Sequence, residues 1–242
     1  MVAPLKILHY KSLESTNTTA YRLAEQSAPD WTVVVADVQT RGRGRGRNKW
    51  NSPKGGLWLS IILRPKLPGP RLALLQFLAA IATRTALEDA TGLVVKLKWP
   101  NDLVIGKEKL GGILVESKTL GAQVSFAILG VGLNINQDKA QLPPGATSLQ
   151  FASGKQHNIR PLLTAVLRQI RSSFDLLDQP SKLMEDWWCH CVHRPMRVRI
   201  TVSDDAVTGI SRGIDENGAL LVETDDHRIR RVSEGSLSIL DD

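Results

Sequence analysis

Residues 94–136 read VVKLKWPNDLVIGKEKLGGILVESKTLGAQVSFAILGVGLNIN, and this stretch decides the fold. Apolar and β-branched residues dominate several short runs, and residues that favour turns separate these runs from one another. The pattern predicts a sheet whose strands lie at residues 94–99, 102–105, 110–116 and 123–133. The dipeptide Gly106-Lys107 is the predicted turn of a hairpin between the second and third of these strands.

The chain around this stretch predicts further strands and helices. A short edge strand is predicted at residues 7–10, and buried strands are predicted at residues 32–38 and 56–63. Amphipathic or apolar spacing predicts helices at residues 18–26, 71–90, 162–177 and 182–191. Pro70 precedes the longest of these helices and Gly92 ends it, as expected from the residues that favour helix termini.

The last fifty residues have a different pattern. Short strands are predicted at residues 196–202, 206–214, 219–223, 229–232 and 237–240, with turns such as Glu216-Asn217-Gly218 between them. Short strands at close spacing are typical of a small barrel or sandwich. We therefore place a domain boundary near residues 191–193, which gives domains of residues 1–191 and 192–242.

The composition is that of an ordinary soluble globular protein, with 42% hydrophobic and 23% charged residues among 242. No apolar run approaches the roughly 18 residues that a membrane-spanning helix needs. Residues 1–10 lack a basic region followed by a long apolar core, so we expect no secretory signal and a cytoplasmic location.

The two cysteines lie close together near the predicted domain boundary. Thiolates and imidazoles are metal ligands, so Cys189, Cys191 and His193 raise the possibility of a metal site. No second pair of cysteines exists to complete a tetrahedral structural site. The adjacent Trp187 and Trp188 favour the apolar end of a packed helix instead.

The formal net charge of +7 is partly concentrated in one segment without acidic residues, which contains Arg41, Arg43, Arg45, Arg47 and Lys49. A basic surface of this kind is typical of nucleic-acid binding. The same cluster is equally suited to one small polyanion such as a nucleotide triphosphate, and composition does not choose between the two.

Residues 42–50 read GRGRGRNKW and are the most informative motif. Glycine lets backbone amides approach an anion closely, and arginine presents a permanent charge with a planar fork suited to phosphate and carboxylate oxygens. An alternative interpretation is an Arg-Gly tract that binds RNA, but such tracts are normally longer and disordered. Because this one lies between two predicted strands, it favours a loop that holds a small ligand.

Three further motifs lie at the ends of predicted strands. Lys98-Trp99-Pro100-Asn101-Asp102 predicts a turn, in which Asp102 either serves the chemistry or merely favours the turn. Lys109 precedes Gly111-Gly112, and glycines in a buried strand suggest that a ligand approaches the backbone closely. The glycines of Gly130-Val131-Gly132 have the same interpretation, although a β-bulge also explains them.

As a set, these motifs resemble the signatures of the biotin–protein ligase family, and the similarity runs across essentially the whole chain. The matching segments, in chain order, are Ser15-Thr16-Asn17, Gly42-Arg43-Gly44-Arg45, Lys98-Trp99-Pro100-Asn101-Asp102, Lys109-Leu110-Gly111-Gly112-Ile113-Leu114-Val115-Glu116 and Gly130-Val131-Gly132-Leu133-Asn134.

The resemblance implies an α+β fold: a mixed β-sheet flanked by helices, similar to class II synthetases, with a small C-terminal SH3-like β-barrel. It implies an enzyme that uses ATP and Mg²⁺ to convert its substrate biotin into biotinyl-5'-AMP. The biotin then passes to a lysine of a biotin carboxyl carrier protein. The Mg²⁺ is expected to be held mainly by the ATP phosphates, with its protein ligands unknown.

The resemblance also assigns roles to individual positions. The implied catalytic residues are Arg45, Asp102 and Lys109. The implied biotin-binding residues are Ser15, Thr16, Asn17, Gln39, Gly42, Arg43, Lys109, Gly111, Gly112 and Gly132. The implied ATP-binding residues are Arg45, Arg47, Trp50, Asn101, Asp102 and Asn134. The glycine-rich loop of residues 40–53 is the expected lid over the site.

This chain departs from the family pattern in two ways. The second Gly-Arg pair of the loop, Gly46-Arg47, is displaced by one position, so Arg45 is a better counterpart of a family arginine than Arg47. The helix-turn-helix domain that many bacterial relatives carry in front of the catalytic domain is not expected here. We therefore expect no DNA binding, no membrane association, and a monomer or a homodimer.

Two other functions remain open at this point. A lipoate or octanoate ligase or transferase resembles the same fold, but such enzymes lack Gly-Arg-Gly-Arg followed by a tryptophan. A non-catalytic RNA-binding protein would use the Arg-Gly tract and the small C-terminal barrel.

Overall fold

The computed structural model describes residues 5–121, 123–203 and 205–240, and its larger unit is built on a sheet of seven strands. The strands are β1 (Lys6–Tyr10), β2 (Thr32–Ala36), β3 (Leu57–Leu63), β4 (Lys96–Lys98), β5 (Asp102–Ile105), β6 (Glu108–Leu120) and β7 (Gln123–Leu133). Their spatial order is β1-β2-β3-β7-β6-β5-β4. Only β1 and β2 pair in parallel, so the predicted mixed sheet is confirmed, with β1 at its edge.

Helices cover both faces of this sheet. They are α1 (Thr16–Glu25), α2 (Ala73–Thr91), α3 (Leu149–Ser153), α4 (Ile159–Ser172) and α5 (Pro180–Cys189). Strand residues alternate between the faces: Val33 and Val35 enter the large core, whereas Val34 packs in the smaller cluster that α1 covers. Because successive strand side chains point to opposite faces, a strand that is buried along its whole length, such as β2, requires helices on both sides.

Several predicted boundaries are corrected by the structure. A 3₁₀ turn over Gly69–Leu72 precedes α2, and Gly92, with a φ of 72°, ends that helix in the left-handed conformation. The predicted helix at residues 162–177 divides into α4 and a 3₁₀ turn over Phe174–Asp178. Helix α3 was not predicted, because five residues between the caps Ser148 and Gly154 are too few to show a helical period.

The C-terminal strands form a separate antiparallel sheet. They are β8 (Arg197–Val202), β9 (Asp205–Ile214), β10 (Leu220–Glu223), β11 (Ile229–Val232) and β12 (Ser236–Ile239), in the order β11-β10-β9-β8-β12. The predicted closed barrel is not found, because the edge strands β11 and β12 share no ladder within the described ranges.

Chain connectivity nevertheless curls this sheet strongly. Edge strands of a flat five-stranded sheet would lie about 19 Å apart, at about 4.8 Å between neighbours. The connection through residues 233–235 has only four Cα–Cα steps from β11 to β12, which span about 14 Å at most. The connection therefore lies at the open seam of a curved sheet.

One hydrophobic core joins the two sheets. Val198, Leu220 and Leu237 of the C-terminal sheet belong to the same buried cluster as the residues beneath α2. None of the helices in the described ranges combines the length and the hydropathy needed to cross a membrane. The sequence-based expectation about a secretory signal extends over residues 1–4, which lie outside the described residues.

Candidate active site

A cavity of about 690 Å³ opens between α1, the loop of residues 40–53 and strands β5, β6 and β7. It brings together most of the residues that sequence reasoning selected: Ser15, Thr16, Asn17, Gln39, Gly42, Arg43, Arg45, Trp50, Asn101, Asp102, Lys109, Gly112, Gly132 and Asn134. Arg47 and Gly111 are not part of its lining. Residues more than 100 positions apart in the chain therefore converge on one site.

One end of the cavity is a network of neutral polar groups at the start of α1. Ser15 caps the helix, and its side chain accepts from the amide of Thr18. The Gln39 side-chain oxygen accepts from the backbone amide of Thr16 at 2.8 Å and from its hydroxyl at 3.0 Å. The Gln39 amide donates to Ser52 Oγ at 2.7 Å. Directional donors and acceptors of this kind suit a neutral polar ligand group.

Asn17 is fixed from two sides in the same network. Ser60 Oγ donates to Asn17 Oδ1 at 2.6 Å, and Asn17 Nδ2 donates to Glu116 Oε2 at 2.8 Å. The other carboxylate oxygen of Glu116 accepts from Arg43 Nη2 at 2.6 Å. This arrangement sets the orientation of the Asn17 amide and ties the loop to strand β6.

Two glycines on β7 make room for two of these side chains. A Cβ atom on Gly130 would lie 2.3 Å from Asn17 Oδ1, and one on Gly132 would lie 2.7 Å from Trp50 Nε1. Both separations are shorter than real Cβ contacts. Each glycine of the Gly130-Val131-Gly132 motif thus accommodates one cavity residue, and the β-bulge interpretation does not apply because the β3–β7 register is regular here.

A charged pair lies at the other end of the cavity. Lys109 Nζ is 2.6 Å from Asp102 Oδ1 and 5.1 Å from the centre of the Trp50 ring. The indole Nε1 of Trp50 is buried and has no hydrogen-bond partner among the described residues. Leaving a buried donor unpaired costs about 1–3 kcal/mol.

The two asparagines predicted to contact ATP stabilise the backbone around the charged end of the cavity. Asn101 exchanges two hydrogen bonds of 2.9 Å with the backbone of Ile113, which fixes the turn that carries Asp102. Asn134 donates through its side chain to the carbonyl of Thr147 at 3.0 Å. Both residues line the cavity, but the hydrogen bonds described for their side chains hold protein backbone.

The glycine-rich loop lines the cavity, and hydrogen bonds within the loop give it a defined conformation. The amide of Gly44 donates to the carbonyl of Asn48 at 2.8 Å, and the amide of Trp50 donates to the carbonyl of Gly42 at 2.9 Å. Arg45 donates to the carbonyl of Gly235 in the C-terminal sheet. Arg47 is exposed and does not line the cavity, whereas Arg45, the better counterpart of the family arginine, does line it.

A buried imidazole lies next to the turn that follows Trp99. His193 Nε2 accepts from the backbone amide of Trp99 at 3.2 Å and lies 3.0 Å from the Cys191 thiol. Burial, assisted by the charge of Lys98, lowers the pKa of His193 to about 4, so the imidazole is neutral. Burial likewise raises the pKa of the Cys191 thiol to about 12.

Within the described ranges, no group of three or more histidine, cysteine or carboxylate side chains is arranged to hold a metal ion. The side chain of Cys189 is exposed, and that of Cys191 packs in the core. Trp187 is buried as well and stacks edge-on against Phe77. This packing agrees with the preferred interpretation of the cysteine segment.

Sequence reasoning missed four residues that shape the site: Ser52, Ser60, Glu116 and Gly235. Glu116 and Ser60 lie on strands, where a polar residue among apolar ones is the only signal available. Ser52 and Gly235 lie in loops, and their distance in sequence from the cavity residues hides their contact. Gly111 was selected but lies against Leu133 and the carbonyl of Gly132, so its small size serves strand packing.

The fold and the cavity together define a class of protein, in which a helix-flanked mixed sheet encloses a small ligand beneath a basic, glycine-rich loop. Comparison with known proteins identifies this class. The profile of the Biotin/lipoate A/B protein ligase family matches residues 10–134, and that of the Biotin protein ligase C terminal domain matches residues 197–240.

Individual relatives agree with these profiles. The chain is 35% identical to the bifunctional ligase/repressor BirA of Bacillus subtilis over 229 residues, which are 91% of this chain and 70% of that protein. It is 32% identical to the biotin–[acetyl-CoA-carboxylase] ligase of Paracoccus denitrificans over 86% of this chain and 90% of the relative. The biotin protein ligase of Aquifex aeolicus, solved with biotin and ATP, superposes with a TM-score of 0.82 at 28% identity, covering 98% of this chain and 99% of that one.

The chain therefore belongs to the Biotin/lipoate A/B protein ligase family. The family resemblance and the fold class predicted from the sequence are confirmed, except for the closed C-terminal barrel.

Proposed function

We propose that this protein activates biotin with ATP to biotinyl-5'-AMP and then transfers the biotin to a lysine of a biotin carboxyl carrier protein. One observation carries the proposal: a single cavity has a neutral polar end at Thr16, Asn17 and Gln39 and a cationic end at Lys109, beneath the arginine-rich loop. The first end suits the ureido group of biotin, and the second suits a carboxylate and a phosphate.

In the first half-reaction, a carboxylate oxygen of biotin attacks the α-phosphorus of ATP, and the bond to pyrophosphate breaks. Two anions approach each other in this step, so fixed positive charge lowers the barrier. Lys109 and Arg45, which both line the cavity, are the candidates to supply that charge. Trp50, whose ring faces Lys109, is placed to pack against the adenine.

The donor set of the cavity bears on the expected Mg²⁺. Among the described lining residues Asp102 is the only carboxylate, and it is paired with Lys109. A protein cage of carboxylates is therefore not available, which supports a Mg²⁺ held mainly by the ATP phosphates. Bound there, the ion would neutralise the leaving pyrophosphate.

In the second half-reaction, the amine of the acceptor lysine attacks the carbonyl carbon of the mixed anhydride, and the bond to AMP breaks. An ammonium group cannot attack, so it must first lose a proton. Asp102 is the candidate acceptor of that proton. Its carboxylate becomes available when Lys109 turns from it to the anionic ligand.

The relatives support the substrates and the partner. One of them is named as a ligase of acetyl-CoA carboxylase, and the Aquifex aeolicus structure contains biotin and ATP. We therefore assign the carrier domain of a biotin-dependent carboxylase as the acceptor. We also retain the division into a catalytic domain of residues 1–191 and a C-terminal domain of residues 192–242, a cytoplasmic location, and a monomer or a homodimer.

The second candidate is ligation of lipoate or octanoate, which the same family includes. The match of residues 197–240 to the C-terminal domain of biotin protein ligases favours biotin. The third candidate, RNA binding, is disfavoured because the Arg-Gly tract forms one wall of a cavity and is not an extended free segment.

The decisive experiment is exchange between ATP and labelled pyrophosphate, measured with biotin, lipoate or octanoate as the only acid. We expect exchange with biotin alone, because the neutral polar end of the cavity offers paired donors and acceptors to a ureido group. Exchange that is equally fast with lipoate, or absent with all three acids while the protein binds RNA, would contradict the proposal.

A further inference from the structure

We propose that Glu116 is a positioning residue that links the substrate pocket to the glycine-rich loop, so that the loop closes on a correctly oriented Asn17. The proposal rests on the function proposed above. Glu116 is not among the residues that line the cavity, so it acts only through its two partners.

The geometry supports this role because each oxygen of the carboxylate binds a different element. Oε2 accepts from Asn17 at the start of α1, and Oε1 accepts from Arg43 in the loop, at 2.8 and 2.6 Å. Both partners are cavity residues, whereas Glu116 lies on β6, where it pairs with Ile128 of β7.

The side chains of Asn17, Glu116 and Arg43 are buried to different degrees, and this shows which end of the linkage is able to move. Asn17 is 4% exposed, and the side chains of Glu116 and Arg43 are 26% and 52% exposed. The Asn17 end is therefore held in the core, and the Arg43 end is the part able to move. An ion pair at such a half-exposed position is weak in itself, so its value lies in where it places the guanidinium.

Asn17 has few alternatives to this orientation. Its Oδ1 already accepts from Ser60, and Gly130 leaves just enough room for that oxygen. If the acceptor oxygen of Glu116 were removed, Asn17 Nδ2 would be left buried without a partner. The Asn17 amide would then lose the contact that fixes which of its ends is the nitrogen. The ligand would then meet a pocket of the same shape with a disordered donor pattern.

The substitutions Glu116→Gln and Glu116→Ala separate the two contacts. Glutamine keeps an oxygen that accepts from Asn17 but removes the charge that holds Arg43, whereas alanine removes both. We expect Glu116→Gln to shorten the lifetime of bound biotinyl-adenylate about threefold to tenfold with little change in the Kd for biotin. We expect Glu116→Ala to weaken biotin binding about tenfold as well.

Glu25→Gln is a matched control, because Glu25 of α1 pairs with Lys118 of β6 at 2.7 Å outside the cavity. It removes an ion pair between α1 and β6, the two elements that the Asn17–Glu116 hydrogen bond also joins, and is expected to leave both the adenylate lifetime and the Kd for biotin unchanged. A double-mutant cycle of Arg43→Ala and Glu116→Ala supplies a readout that general destabilisation would not move, since only a direct coupling makes the effects on adenylate lifetime non-additive.

The proposal is overturned if wild type shows biotin-dependent exchange while both Glu116 variants match Glu25→Gln, or if the two effects in the cycle simply add. If wild type shows no biotin-dependent exchange, the proposed function fails and this inference fails with it. Should Glu116→Ala not fold, Glu116→Gln and Arg43→Gln, which break the same ion pair from its two ends, must still give matching losses of adenylate lifetime.

Discussion

The ammonium group of Lys109 lies between a carboxylate, an aromatic ring and the open cavity. It pairs with Asp102 at 2.6 Å, faces the Trp50 ring at 5.1 Å and borders the open cavity. Without a ligand, the Asp102 carboxylate and the aromatic ring balance its charge. A bound carboxylate and phosphate offer two further negative groups, so the ammonium is expected to shift towards them without leaving the site.

This predicts that Lys109→Met slows formation of the adenylate on the order of 100-fold, because one preorganised charge at the reacting centre is lost. Single-turnover release of pyrophosphate measures that step directly. Lys54→Met, which removes an exposed lysine next to the loop and outside the cavity, is the control and should leave the rate unchanged. An unchanged rate in Lys109→Met would remove this lysine from the chemistry.

At this scale, the sequence predicts the residues that carry a recognisable chemical signature and misses their supports. Arg45 and Lys109 stand out because each lies near glycines, and Asp102 stands out because it follows a proline-containing turn. Ser60 and Glu116 do not, because a single polar residue on a strand has many possible partners. Only the three-dimensional arrangement shows that these two fix Asn17.

Among the elements, strand β7 borders both ends of the cavity with one of its faces. Gly130 and Gly132 are two residues apart, so they lie on the same face of the sheet. The first makes room for Asn17 at the polar end, and the second makes room for Trp50 at the cationic end. The two-residue spacing of Gly130 and Gly132 on β7 therefore sets the distance between the strand's contact with Asn17 and its contact with Trp50.

Gly130→Ala and Gly132→Ala are predicted to weaken the binding of different substrates. The first pushes Asn17 and should weaken biotin binding about tenfold or more, whereas the second pushes Trp50 and should mainly raise the KM for ATP. Calorimetry with biotin alone and initial rates with varied ATP separate the two effects. Gly213→Ala on β9 is the control, since its Cβ would meet only Leu221 at an ordinary 3.8 Å. Equal losses for both substrates in both variants would refute the division.

The elements themselves were predicted well where the pattern is long and regular. Strand β7 has the predicted bounds, and the hairpin of β5 and β6 lies where expected. Short elements and helix ends were predicted poorly, because contacts with distant parts of the chain help to set them. Leu97 of β4, for example, hydrogen-bonds with His190 and Val192. Strand order was equally hidden, since it depends on contacts that are distant in the chain.

In the whole molecule, His193 connects the two sheets by hydrogen bonds to Trp99 and Ser211. Its imidazole accepts from the amide of Trp99, and its carbonyl accepts from Ser211 of β9. Protonation would remove the lone pair that Trp99 needs. The groups that face it are the Cys191 thiol, whose pKa of about 12 keeps it neutral, the Trp188 ring, and the cation Lys98, which opposes a further charge.

This predicts acid sensitivity with a defined sign. The pKa of His193 is about 4 in the folded chain, against an ordinary value of 6.5, so the unfolded chain binds the extra proton first. The stabilisation is complete above pH 6.5 and falls as the pH is lowered, by about 2 kcal/mol at pH 5. Chemical denaturation of wild type and His193→Gln at several pH values measures it. Parallel pH profiles for the two proteins would show that this imidazole does not contribute.

The whole molecule also closes the cavity from both of its sheets. The connection between β11 and β12 lies at the seam of the curved C-terminal sheet, and its Gly235 carbonyl accepts from Arg45 of the loop. Gly235 has a φ of 135°, and a Cβ atom there would lie 2.6 Å from Ile200 Cγ2. No other residue type adopts this backbone without displacing the connection.

Gly235→Ala should therefore release Arg45, leave the loop of residues 40–53 less protected, and shorten the lifetime of the bound adenylate. Trypsin cleaves after arginine and lysine, so its rate of cutting within the loop reports closure directly. We expect biotin with ATP to slow cleavage of wild type strongly and to protect Gly235→Ala far less, with Gly213→Ala behaving like wild type. If ligands fail to slow cleavage of wild type, the loop is not a lid. If they protect Gly235→Ala just as well, the loop closes without the C-terminal sheet, and the contact with Arg45 has no part in retaining the adenylate.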